Sequence, residues 1–173
     1  MIPQARPVRI AIFDVDGVLS DGGLHYAEAG DAMKTFDVRD GMGMKLLQES
    51  GVELAIITSR RAGSVRERAT DLGIRHLQQG VTDKYSAFET LLAGLGLTPE
   101  QSAFLGDDLV DLPVLRRCGF AVTVADAPAV LKRNADYVTR ARGGRGAARE
   151  FCEVILHNQG SLTAQTARFL GRA

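Results

Sequence analysis

The sequence predicts an α/β protein, a parallel β-sheet held between two layers of helices. Three observations predict it. Short, near-continuous apolar runs alternate with longer segments of helical period. Those runs lack polar alternation, as strands buried on both faces do. The polar residues of chemical interest fall just after the runs, at the carboxyl edge where open α/β sheets bind ligands.

Residues 8–13 (VRIAIF) read as the first strand, rich in β-branched side chains and ending at Asp14. Residues 22–38 follow without the pattern of a crossover helix. Leu24-His25-Tyr26 and Met33-Lys34-Thr35-Phe36 flank the turn-like Glu28-Ala29-Gly30-Asp31, which predicts a β-hairpin over the strand ends. A helix is expected over 42–50, then a strand over 54–57 (LAII) stopping at Thr58. Helices over 61–72 and 84–95 precede a short strand at 103–105. A helix over 112–117, a strand over 120–124, a helix over 129–134 and an edge strand at Tyr137-Val138 complete the alternation. A last helix is expected over 147–157. The glycines of 140–149 (RARGGRGAAR) argue against regular structure before Ala147. Residues 160–173 have few apolar side chains and are expected to fray.

At 173 residues the chain suits one domain, 1–173, with the hairpin as a flap over 22–38 and a flexible stretch over 140–173. Between Asp21 and Gly41 there is room for the hairpin and not for a cap domain. Hydrophobic residues at 45% and charged residues at 24% exclude wholesale disorder. The 21 basic and 21 acidic residues cancel, which argues against a nucleic-acid partner or a membrane surface. No apolar run approaches a membrane span, and Met1–Arg6 does not open a secretory signal. Cys118 and Cys152 form no CxxC pair and read as reduced thiols of a cytoplasmic protein.

The charge is clustered. Asp14, Asp16 and Asp21 form one acidic group, and Asp107, Asp108 and Asp111 another. Each follows an apolar run. A lone DxD is ordinarily an acidic turn, and an Asp at a helix start is ordinarily a cap. Three carboxylates in five residues exceed what a cap needs, and their repulsion calls for a cation. A hard, oxygen-ligated ion such as Mg²⁺ fits them. Thr58 ends the second strand and Lys84 opens a helix. Eight basic residues lie between 112 and 149, against only Asp126 and Asp136, and suit an anion.

In chain order these are DxD, Thr, Lys and GDDxxD, each at the edge of an α/β element. The set resembles the haloacid dehalogenase superfamily of phosphohydrolases, whose fold is Rossmann-like. The resemblance implies Asp14 as a nucleophile that forms an acyl phosphate. It implies Mg²⁺ on Asp14, on Asp107 and on the main-chain carbonyl of Asp16. Asp16 would protonate the leaving oxygen and then activate water. Thr58 and Lys84 would contact the phosphoryl oxygens. Asp108 and Asp111 would hold metal-bound water or orient Lys84.

A finer resemblance rests on DVDGVLSDG, on Phe36-Asp37-Val38-Arg39-Asp40-Gly41, on Ile57-Thr58-Ser59-Arg60, on Glu67-Arg68, on GDDLVDLPVL, on Ala135–Thr139 and on Gly143–Ala147. Together these look like the capless 3-deoxy-D-manno-octulosonate 8-phosphate (KDO 8-P) phosphatases of lipopolysaccharide synthesis, over about 8–160. That likeness implies a homotetramer and an acidic sugar phosphate as substrate. It places substrate contacts on Asp16, Asp37, Val38, Arg39, Asp40, Gly41, Lys45, Arg60, Arg68 and Lys84. Guanidinium groups suit a substrate carboxylate. Asp37, Lys45 and Ser59 depart from the residues common in such enzymes and bear on fine specificity. Another acidic substrate, such as a nonulosonate 9-phosphate, is the near alternative. A phosphoaspartate receiver domain is the remote one, since receivers place their acidic pair differently. Arg145, in the Gly143–Gly146 stretch, is expected on a mobile arm that closes over a site.

Overall fold

The computed structural model describes residues 1–26 and 32–171. The turn expected at Glu28–Asp31 lies outside the described residues. The first element is β1 (Ile10–Phe13), with every residue buried. The two-stranded antiparallel hairpin follows as β2 (His25–Tyr26) and β3 (Ala32–Met33). Strand β4 (Glu53–Thr58) comes after helix α1 (Val38–Glu49), and β5 (His76–Gln79) after α2 (Gly63–Asp71). Helix α3 (Lys84–Leu95) leads to β6 (Ser102–Gly106), and α4 (Leu112–Leu115) to β7 (Phe120–Thr123). Helix α5 (Ala129–Lys132), strand β8 (Tyr137–Val138), α6 (Ala147–Asn158) and α7 (Leu162–Ala167) end the chain.

The sheet runs β5-β4-β1-β6-β7-β8 and every described pair is parallel. From β1 the chain crosses outward to β4; from β6 it crosses the other way to β7. The order therefore reverses between β1 and β6, which is where a doubly wound sheet opens its crevice. Phe13 pairs in register with Ile56 of β4 and Leu105 of β6. Asp14, Thr58 and Asp107 thus emerge side by side at one edge. The Asp14 N–H extends the ladder to the Leu105 carbonyl at 3.0 Å.

Helices α1 and α6 pack together on one face. From α6, Phe151 stands edge-on to Phe13 at 5.3 Å and stacks on Phe120 at 6.2 Å. Helices α3 and α4 meet on the other face, as right-handed crossovers require. Helix α3 buries Phe88, Leu91 and Leu92; Asp83 caps its start and Gly96 closes it in a left-handed turn.

Three elements differ from the sequence expectation. Strand β5 has only Leu77 as a large apolar residue and is half-buried throughout, so no apolar run announces it. It forms because β4 offers a pairing edge, a tertiary effect that overrides local preference. Helix α1 starts at Val38 rather than 42, because the Asp37 carboxylate accepts the Arg39 N–H at 2.7 Å. Residues 162–170 take helical geometry where no regular element was expected. Leu162 packs on the core, and α7 runs into a further 3₁₀ turn, Arg168–Leu170.

The Gly/Arg stretch runs along the body of the chain through a series of hydrogen bonds. Glu150 accepts the N–H groups of Arg140 and Ala141 at 2.9–3.0 Å. Asp126 accepts Gly143 N–H at 3.2 Å, and the Val18 carbonyl accepts Gly144 N–H at 2.8 Å. Asp40 of α1 accepts Arg149 N–H at 2.7 Å and Gly146 N–H at 3.4 Å, capping α6 from a neighbouring helix.

Candidate active site

Asp14 sits one residue beyond β1 and is buried. Lys84, at the first position of α3, places its ammonium 2.9 Å from Asp14 Oδ1 and 2.6 Å from Asp111 Oδ1. Asp111 is fully buried, and its other oxygen accepts the N–H groups of Asp107 and Asp108 at 3.0 and 3.3 Å. Asp111 thus ties the β6 loop to Lys84, and Lys84 to Asp14. Burial works against the Lys84 charge, but Asp14 and Asp111 outweigh it and hold its pKa above the ordinary lysine value.

Asp14, Asp107 and Asp111 each offer an oxygen within 4.8 Å of the others. One ammonium cannot neutralise three carboxylates. Burial, then the Asp111 charge, push Asp14 up to about 6 despite Lys84. Burial, then Asp14 and Asp111, push Asp107 up to about 8. Asp107 Oδ1 is buried with no hydrogen-bond partner among the described residues. A buried acceptor without a donor, among hard oxygens with excess negative charge, fits a divalent cation. Gly17 makes room for the Asp107 carboxylate. Its φ is +80°, and a Cβ there would stand 1.9 Å from Asp107 Oδ2.

These groups open on a cavity of about 320 Å³, whose wall includes Asp16, Thr58, Ser59, Arg60 and Asp108. Thr58, the last residue of β4, is buried. Asp16 lies between two cations: Lys34 donates to its Oδ1, and Arg60 Nε stands 3.7 Å from its Oδ2. Asp108 is exposed and caps the 3₁₀ turn Leu109–Asp111 through Leu109 N–H at 2.7 Å.

The structure gathers Asp14, Asp16, Thr58, Arg60, Lys84 and Asp107 around one space, with Asp111 beneath them. Several other expected substrate contacts stand elsewhere. Asp40 is buried and spent on capping α6. Asp37 caps α1 and pairs with Arg39 at 3.0 Å. Arg68 donates to the Asp37 carbonyl at 3.0 Å and covers Phe36, packing so close to Gly41 that a Cβ there would meet its Nη2 at 2.5 Å. These contacts make Arg68 and Gly41 a brace for the start of α1. Val38 and Lys45 are exposed along α1. Arg145 pairs with Asp21 at 3.4 Å and, with Arg39 and Arg149, borders a separate cavity of about 700 Å³.

Lys34 gave no sequence signal, being a single lysine in an irregular stretch. Gly143 and Gly144, expected on an arm that closes over a site, lie back-to-back with the catalytic loop of the same chain. A Cβ on Gly143 would fall 1.8 Å from the Gly17 carbonyl oxygen, and one on Gly144 2.4 Å from Asp21 N.

Comparison with known proteins gives the same picture. Residues 77–150 match the model of haloacid dehalogenase-like hydrolases. The 3-deoxy-D-manno-octulosonate 8-phosphate phosphatase KdsC of Yersinia pestis is 49% identical over 166 residues, 96% of this chain and 89% of that protein. The chain belongs to the KdsC family. The Escherichia coli K12 KdsC is likewise 49% identical, over 94% of this chain and 86% of its own. The 3-deoxy-D-manno-octulosonate 8-phosphate phosphatase of Moraxella catarrhalis, solved in complex with a magnesium ion, a phosphate ion and KDO, superposes with a TM-score of 0.94 at 42% identity. That superposition covers 96% of this chain and 95% of the other.

Proposed function

We propose that the chain is a Mg²⁺-dependent phosphatase that hydrolyses KDO 8-P to KDO and phosphate in lipopolysaccharide biosynthesis. The observation that carries this reading is the meeting of Asp14, Lys84 and Asp107 at one strand edge, in a chain 49% identical to KdsC over 96% of its length.

Asp14, Asp107 and the main-chain carbonyl of Asp16 would hold Mg²⁺. When bound, the ion screens the repulsion between a carboxylate nucleophile and a phosphate dianion. Asp14 attacks phosphorus, and the P–O bond to the sugar breaks. Asp16 gives its proton to the departing sugar oxygen and then takes one from the water that hydrolyses the aspartyl phosphate. Thr58 and Lys84 face the phosphoryl oxygens, where charge spreads in the transition state. Asp111 keeps Lys84 in place and charged. Arg60, on the cavity wall, suits the carboxylate of an acidic sugar.

The same reading makes residues 1–173 one domain and the enzyme a cytoplasmic homotetramer. Two cysteines outside any disulfide support a reducing compartment. Among the described residues no helix is long and apolar enough to cross a membrane. Exposed Leu24 and Met33 on the hairpin support assembly through it. In such an assembly Val38, Arg39, Lys45 and Arg145 are available to a neighbour's substrate.

The test is phosphate release, with Mg²⁺ and with EDTA, from KDO 8-P, a nonulosonate 9-phosphate and neutral sugar phosphates. KDO 8-P turned over best and only with Mg²⁺ is the expected result. Equal turnover of neutral sugar phosphates removes the assigned substrate. Steady-state turnover in Asp14→Asn removes the nucleophile.

A further inference from the structure

Lys34 is the strongest group that the reaction leaves unused. It follows directly on the hairpin, yet its side chain is only 2% exposed. A buried ammonium is costly unless paired, and this one is paired with Asp16. Asp16 lines the cavity and is 22% exposed, whereas Lys34 lies behind it, off the cavity wall. Lys34 donates to Asp16 Oδ1, and Ser20 Oγ approaches the same oxygen at 3.5 Å. Asp16 Oδ2 has Arg60 of the cavity wall at 3.7 Å, an ion-pair separation beyond hydrogen-bond reach. Among the described residues, both donors within reach of this carboxylate converge on one oxygen.

We infer that Lys34 is a positioning residue for the reaction. By occupying Oδ1 it presents Oδ2 to the cavity as the oxygen that carries the transferable proton. The inference rests on Asp16 being the acid. As the bond from Asp14 to phosphorus forms and the ester P–O bond breaks, the proton passes from Oδ2 to the leaving oxygen. The negative charge left on Asp16 is then met at Oδ1 by the Lys34 ammonium. That charge develops only when the leaving group needs a proton. Lys34 therefore matters for alkoxide leaving groups and hardly at all for nitrophenolate. Because Lys34 sits between the hairpin and α1, the acid is aligned by a segment outside the sheet.

The test is kcat/KM, which reports the phosphoryl transfer to Asp14, for a series of phosphate monoesters. The series runs from simple alcohols to increasingly acidic phenols, with Mg²⁺ present. Lys34→Met should lose about 100-fold on the alkyl esters and about threefold or less on p-nitrophenyl phosphate, a steeper dependence on leaving-group pKa. An equal loss across the series reduces Lys34 to a packing residue and overturns the inference. A loss confined to KDO 8-P makes it a substrate contact and also overturns it. Asp16→Ala in the same series separates the two ideas. If that variant does not steepen the dependence, Asp16 is not the acid. If it does and Lys34→Met does not, Asp16 stands and Lys34 falls. Should Lys34→Met not fold, as judged by its melting transition, Lys34→Gln carries the same comparison.

Discussion

Asp107 sets how the metal-free protein responds to pH. Its carboxyl is pushed up to about 8 by burial and by Asp14 and Asp111, against 3.8 without those neighbours. Between those two values the folded chain holds a proton that the unfolded chain has lost. Stability therefore falls as pH rises through that window, and the penalty is full above about 8. Asp107→Asn removes the penalty. In EDTA at pH 8.5 it should melt above the parent by about 2–6 °C, after allowance for solvent screening. At pH 4 the two should coincide. Mg²⁺ should raise the melting temperature of the parent and hardly move the variant, which should also lose turnover. Scanning fluorimetry at both pH values, with and without Mg²⁺, checks this. Asp14, Thr58, Lys84 and Asp107 were legible because each opens, closes or directly follows an element whose pattern is visible in sequence. Lys34 was not, because the pairing that buries it spans an irregular stretch with no period.

Asp40 and the start of α6 show how one element completes another. Gly146 precedes α6 and has no side chain to cap it, so the carboxylate of Asp40 on α1 does so instead. Asp40→Ala leaves two N–H groups unpaired and should cost about 1–3 kcal/mol in urea unfolding. The folded fraction should keep its KM, since Asp40 faces α6 and not the cavity. A KM raised at unchanged stability would instead return Asp40 to the substrate. The sequence showed α3 to its ends, because Asp83 and Gly96 mark them locally. It hid β5, whose only large apolar residue is Leu77, and it hid the cap on α6, whose partner lies more than a hundred residues away.

The alternation of strands and helices was enough to read a parallel sheet covered on both faces. The order β5-β4-β1-β6-β7-β8 was not, since it depends on which crossover reverses direction and no local signal encodes that. Assembly belongs to the same level. Met33 is 72% exposed and Val38 81%, with Leu24 and Met42 beside them in the chain. Light scattering at micromolar concentration should give about four times the 18.6 kDa chain mass. Leu24→Glu with Met33→Glu should shift it toward smaller species. The contact of Gly143 and Gly144 with the loop of Gly17 and Asp21 has a consequence for biosynthesis. A ribosome emits the chain from its N-terminus at roughly 5–20 residues per second, so the catalytic loop waits on the order of ten seconds for the glycines that seat it. A nascent chain halted at residue 140 already carries every acidic residue of the site, but not the backbone that holds their loop. The loop finds its seat only once residues 143 and 144 have been made.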